Sequence, residues 1–201
     1  MKSHLHDSLS ETLLSRLSYI RIFPKKILCT SVENTYTPQH LKLLYPEAKV
    51  IHVLPQQLEN CSEKNVDLIV ALFSFELTKH PKAMLIKLHE LLKIQGLLLF
   101  STLGPDSYQK NNFIDMHHIG DWMKELHFLD PVVDREEVEL QYEDFSLLQS
   151  EARTFGIIIS NDYKNEPVPY SASLELIFGH GWKQPSRDEI LISLDSIKKN
   201  K

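Results

Sequence analysis

Asp115, His117, His118, Asp121 and His180 are the side chains best suited by type to acid–base work or metal binding. Carboxylates and imidazoles move protons near neutral pH and ligate divalent ions. Their spacing argues against a shared metal: adjacent helical residues such as His117 and His118 point about 100° apart. Asp115 stands where a helix cap belongs, and Asp121 falls on a solvated helix position. No metal site is expected. His180 lies between Gly179 and Gly181, and such glycines suggest a tight backbone bend around it. Phe73, Phe75 and Trp182 are a second group, read as strand-end aromatics that line an apolar channel or, more commonly, fill a core. Together with His180 they are the candidates for a substrate or partner channel. The chain has 2 cysteines, Cys29 and Cys61, without metal-type spacing. Nothing near Cys29 in sequence lowers its pKa, so it reads as a buried thiol.

The elements that position these residues follow from apolar periodicity. Ser8 to Ile20 reads as an amphipathic helix, with Leu9, Leu13, Leu17 and Ile20 on one face. Lys25 to Ser31, the KVIHVLP segment and Asp67 to Ser74 read as strands, with a helix carrying Leu41, Leu44 and Tyr45 ending at Pro46. KAMLIKLHELLK is a helix with a broad apolar face, and Gln95-Gly96 is expected to cap it. Leu97 to Phe100 begins a strand buried on both faces, which Gly104-Pro105-Asp106 breaks. Asp115 opens a helix bearing Met116, Ile119, Trp122, Met123 and Leu126, and Asp130-Pro131 closes that unit. Beyond it, EVELQY alternates as a half-exposed strand, Asp144 caps a helix stopped at Gly156, and SASLELIF is expected at the sheet edge. The tail EILISLDSIKK reads either as a capped helix or as a last strand. Strands alternating with helices imply an α/β fold with a largely parallel sheet and an antiparallel C-terminal hairpin.

Composition sets the class. At 201 residues, 42% hydrophobic and 24% charged, the chain has an ordinary globular make-up, and residues 1–201 are read as one domain. A net charge of -5 argues against a nucleic-acid partner. No apolar run reaches the ~20 residues of a membrane span. A soluble, cytoplasmic protein is expected, with no nucleic acid and no membrane among its partners.

Four stretches carry a resemblance: STLGPDSY (101–108), FIDMHHIGDWM (113–123), FLDPVVD (128–134) and LELIFGHGWKQP (174–185). In order and spacing they are similar to consecutive signatures of the malonyl-ACP O-methyltransferases of biotin synthesis, the BioC family. The resemblance implies a Rossmann-like class I methyltransferase fold, S-adenosylmethionine as cofactor, and an acyl-carrier-protein substrate. The channel residues would then accommodate an acyl chain or its carrier arm.

The same resemblance locates what is eroded. Such a fold holds its cofactor at the carboxyl ends of the first strands. It needs a glycine-rich turn after the first strand, where any Cβ would collide, and an acid after the second. The family's loop falls on Cys29, Thr30, Ser31, Val32, Glu33 and Asn34, yet none of the 6 glycines precedes Gly96. Cys29 replaces the acid that opens the loop, and Val53-Leu54-Pro55-Gln56 offers none after the second strand. The stretch from there to Val66 is too short for a further strand and helix, since a crossover takes about a dozen residues. The family's N-terminal arm is expected to be missing, and its Arg-bearing insertion to shrink to about Asn161–Tyr170, with Arg153 and Arg187 as the nearest arginines. No cofactor-binding or catalytic residue is therefore carried over. Absent acids and bases mean little, because a malonyl carboxylate is already ionised and catalysis would come from alignment. An absent pocket means more. The sequence favours a pseudo-methyltransferase trimmed on its cofactor side, acting with acyl carrier protein, an active methyltransferase relative or a second copy. The alternative is an active malonyl-ACP O-methyltransferase that binds its cofactor atypically.

Overall fold

The strand between Val66 and Leu72 is buried at every residue, and the remaining elements assemble on its two faces and two edges. The computed structural model describes residues 4–32, 36–108 and 112–185. The expected tail element, with Arg187, lies outside them, as do Glu33 and Asn34. The strands are β1 (Lys26–Thr30), β2 (Lys49–Val53), β3 (Val66–Leu72), β4 (Leu92–Leu103), β5 (Phe128–Tyr142) and β6 (Tyr170–Lys183). They form one sheet in the order β2-β1-β3-β4-β6-β5. The first four run parallel, and β6 lies antiparallel to both β4 and β5. The fold is thus α/β with a mixed sheet, as the apolar periodicity implies.

The period-2 alternation of the strands divides the core. Ile27, Cys29, Leu68, Val70, Leu97 and Leu99 face α1 (His4–Ser15), α2 (Tyr36–Leu44) and α5 (Phe145–Thr154). Leu28, Ile69, Ala71, Leu98 and Phe100 face α3 (Pro81–Leu91) and α4 (Met116–Glu125). Both expected caps are formed: Asp115 Oδ1 accepts from His117 N at 2.8 Å, and Asp144 Oδ1 from Ser146 N at 2.7 Å. Gly156, just past α5, takes φ +76°, the left-handed geometry that stops a helix.

Four details differ from the sequence reading. Helix α3 ends at Leu91 and β4 begins at once. Gln95-Gly96 belongs instead to a bulge opposite Val66–Leu68, where Gln95 has φ +62° and a Cβ on Gly96 would stand 2.8 Å from Val66 O. Strand β5 starts at Phe128 and runs through Asp130-Pro131 with a register shift between Leu129 and Val132. Proline lacks an N–H but is tolerated at an edge-strand bulge. The SASLELIF segment does not form the edge: β6 lies between β4 and β5, and β5 is outermost. Nor does the GHG segment bend. It lies within β6, paired with Leu98–Phe100. Its glycines make room, since a Cβ on Gly179 would overlap the Phe100 ring and one on Gly181 would meet Met123 Cε at 2.8 Å.

Gly179→Ala is expected to destabilise the fold by about 1–3 kcal/mol or more through overpacking. Gly120→Ala, whose Cβ meets nothing nearer than Val133 Cγ2 at 3.9 Å in helix α4, is expected to stabilise by roughly 0.5–1 kcal/mol. Urea denaturation of the two variants measures both, and equal effects would contradict the packing role.

Candidate functional site at the carboxyl ends of the parallel strands

The sheet order reverses at β1, with β2 on one side and β3 on the other. In open α/β sheets the crevice outside such a switch point is where ligands bind. At the end of β1, Cys29, Thr30 and Ser31 are buried and Val32 is half-buried. Ser74 Oγ donates to Thr30 O at 3.2 Å, and Ser31 Oγ lies 3.1 Å from Nε2 of His52, which comes from β2. Burial pushes the Cys29 thiol up to about 12, against a smaller lowering by Ser31, so it stays protonated and unreactive. After β2 the chain makes a 3-10 turn, Pro55–Asn60, and passes directly to β3. Among the described residues no strand lies beyond β2.

The aromatic candidates do not converge. The Phe73 ring meets Phe155 edge-on at 5.1 Å on the α1/α5 side. Phe75 meets Phe100 at 5.5 Å on the α3/α4 side. His180 and Trp182 stand opposite Leu99 and Leu97, in the middle of β4; burial lowers the His180 pKa, partly offset by Asp134. Asp115 serves as the α4 cap, with the exposed His117 ring 2.7 Å from its carboxylate. The His117 N–H bond is the main cause holding that carboxyl below its usual range. Among the described residues no three His, Cys, Asp or Glu side chains are grouped to hold a metal ion.

The STLGPDSY signature has a structural explanation. Glu175, 3% exposed, accepts from Asp106 N at 3.0 Å and from Arg135 Nη1 at 3.3 Å. Gly104 N donates to Glu175 O at 2.8 Å. A Cβ on Gly104 would overlap the Glu175 carboxyl group. The turn after β4 is thereby fixed onto β6.

Sequence reasoning missed Glu76, in the 3-10 turn Phe75–Leu77 after β3. Thr102 Oγ1 donates to its Oε1 at 2.6 Å and Leu103 N donates to the same oxygen, while Oε2 is buried without a partner. The stem is partly exposed, but the carboxylate tip is not, and burial raises its pKa to about 7 against the lowering by Thr102, its own backbone N–H and that of Leu103. Glu76 lines a cleft of about 480 Å³ with Phe75, Lys79, Thr102, Phe113 and Ile114. The available signal was a lone acid closing the run LIVALFSF (68–75), since carboxylates are seldom buried unless paired.

A parallel sheet with a switch point at β1, an antiparallel β6 and helices on both faces defines the class I methyltransferase fold. It superposes on the structure of a putative methyltransferase from Bacillus halodurans with a TM-score of 0.61 at 12% identity, over 86% of this chain and 99% of that one. No family model matches the sequence. Curated relatives do: malonyl-(acyl-carrier protein) O-methyltransferase 1 of Coxiella burnetii is 26% identical over 94% of this chain and 87% of its own. The malonyl-(acyl-carrier protein) O-methyltransferase of Legionella pneumophila is 24% identical over 91% and 85%. The chain is a distant homologue of these enzymes, the BioC family.

Glu76 gives a pH dependence of known sign. Its folded pKa is raised from 4.5 to about 7, so between those values the folded state holds a proton that the unfolded chain has released, and stability falls as pH rises. Glu76→Gln removes that slope. The variant is expected to exceed the parent by roughly 3 kcal/mol near pH 8, at 1.36 kcal/mol per unit, and to match it near pH 4. Urea denaturation at both pH values checks this, and a difference independent of pH would contradict the buried-acid assignment.

Proposed function

We propose that this chain is a BioC-like pseudo-methyltransferase of the pimeloyl-precursor branch of biotin synthesis, one that no longer holds S-adenosylmethionine and acts through protein contacts. The observation that carries the reading is the β1 end. Cys29, Thr30 and Ser31 are buried there, Ser31 is joined to His52, and no glycine stands anywhere before Gly96. Backbone approach to a nucleotide-sized ligand needs glycine at such a turn. The Pro55–Asn60 turn supports it too, replacing the unit that would frame an adenine.

A contact role fits the surface. Tyr19 is 89%, Phe23 80% and Leu43 77% exposed. Leu44 lines a cleft of about 380 Å³ with Leu14, Leu17 and Tyr45, between α1 and α2. Exposed apolar groups of this kind suit acyl carrier protein, an active methyltransferase relative or a second copy of the chain. No helix among the described residues is long and apolar enough to cross a membrane.

One observation favours the second reading, an active malonyl-ACP O-methyltransferase with atypical cofactor binding: the cleft at the ends of β3 and β4 is open. Calorimetric titration with S-adenosylhomocysteine separates the two. No saturable heat up to millimolar ligand, with the protein folded by circular dichroism, is the expected result. Micromolar binding would overturn the pseudoenzyme reading and call for a malonyl-ACP methylation assay.

A further inference from the structure

We propose that the chain forms a two-fold dimer through the free edge of β2, which pairs antiparallel with β2 of a second copy about Ile51.

The edge is open because the chain passes from β2 to β3 through the Pro55–Asn60 turn, and among the described residues no strand lies beyond β2. Its outer row of N–H and C=O groups is a template for another strand. The side chains do not suit an exposed position. Val50 packs toward the α1/α2 core and Val53 toward the α3 core, so β2 is apolar on both faces, as a covered strand is. Yet Val50, Ile51 and Val53 are each only half-buried, and Ile51 belongs to neither core.

The opposite edge of the sheet is guarded. Strand β5 carries Asp134, Glu136, Glu137 and Glu139 and a register shift beside Pro131, features that keep an edge from pairing. Strand β2 has neither acid nor proline, and its register with β1 is unbroken. The exposed His52 ring is turned to Ser31 Oγ, at 3.1 Å, and Lys49 is the one formal charge in the strand.

The occupant follows from that charge pattern. Antiparallel pairing about Ile51 sets Lys49 opposite Val53 of the second copy, Val50 opposite His52, and Ile51 opposite Ile51. No like charges meet, and like charges directly opposite are what oppose such pairing. The two-fold also matches the outward N–H groups of each copy with C=O groups of the other. A second copy brings a strand of equal length, already folded at the same edge. The inference stands whether or not S-adenosylhomocysteine binds at the β1 end, because the dimer's mass and the ligand's heat are separate measurements.

Size-exclusion chromatography with light scattering tests it. The full chain at roughly 100 μM is expected to run at twice its monomer mass. Ile51→Lys sets two ammonium groups against each other across the two-fold and should run as a monomer with an unchanged circular dichroism spectrum. Glu139→Lys, on the β5 edge, should remain a dimer. A disulfide trap decides the case in which Ile51→Lys fails to fold. Opposed residues in antiparallel strands have Cβ atoms about 4.5–5.5 Å apart, so Ile51→Cys in a Cys61→Ser background should give a covalent dimer on mild oxidation. Val53→Cys in the same background, placed opposite Lys49, should not. A monomer mass, a folded Ile51→Lys that still dimerises, loss of the dimer in Glu139→Lys, or crosslinking of Val53→Cys as readily as Ile51→Cys would each overturn the proposal.

Discussion

Burial of β3 on both faces is the constraint from which the architecture follows. A strand with no exposed residue needs a hydrogen-bonded neighbour on each edge and a helical layer on each face. Leu68, Val70 and Leu72 go to one core, Ile69 and Ala71 to the other. Asp67 secures the entry. Its Oδ2 accepts from the backbone N–H of Lys25 and Lys26 at 2.9 and 2.6 Å, and Oδ1 pairs with Lys93. Burial alone would raise the Asp67 pKa, but the Lys93 hydrogen bond and the two backbone donors hold it below the usual range. One carboxylate therefore joins the starts of β1, β3 and β4.

Two neighbouring places at the carboxyl ends of the parallel strands are built differently. At the β1 end, polar groups are joined to one another: Ser31 with His52, and Ser74 with Thr30 O. At the β3/β4 end a carboxylate is held by two donors on one oxygen beside an open cleft. The signature stretches survive for a packing reason. The Gly104–Ser107 turn is fastened to Glu175, Gly179 admits the Phe100 ring, and Gly181 admits Met123. Those residues maintain the sheet's packing whatever the protein binds.

Much of this was legible in the sequence because it is local. Apolar runs of period 2 and helical stripes specify elements through neighbours a few residues away. Asp115 and Asp144 cap their helices with N–H groups two residues on. The lack of an early glycine and the short passage from β2 to β3 can be read by counting. The resemblance likewise depends on short ordered motifs, and distant relatives with the same order carry it.

What only the tertiary structure decided is non-local. Glu76 is an unremarked acid in sequence; its character comes from Thr102 and Leu103, 26 and 27 residues away, which are brought to it by parallel pairing of β3 and β4. The four aromatic candidates looked like one set, yet Phe73 and Phe75 fall on opposite faces and His180 and Trp182 lie beside the middle of β4. Side-chain alternation and strand direction fix those positions, and neither can be inferred from spacing across separate elements. The place of β6 inside the sheet was likewise hidden. It depends on Gly179 and Phe100 meeting across two strands almost 80 residues apart in the chain, a fit of shapes that local propensity does not encode.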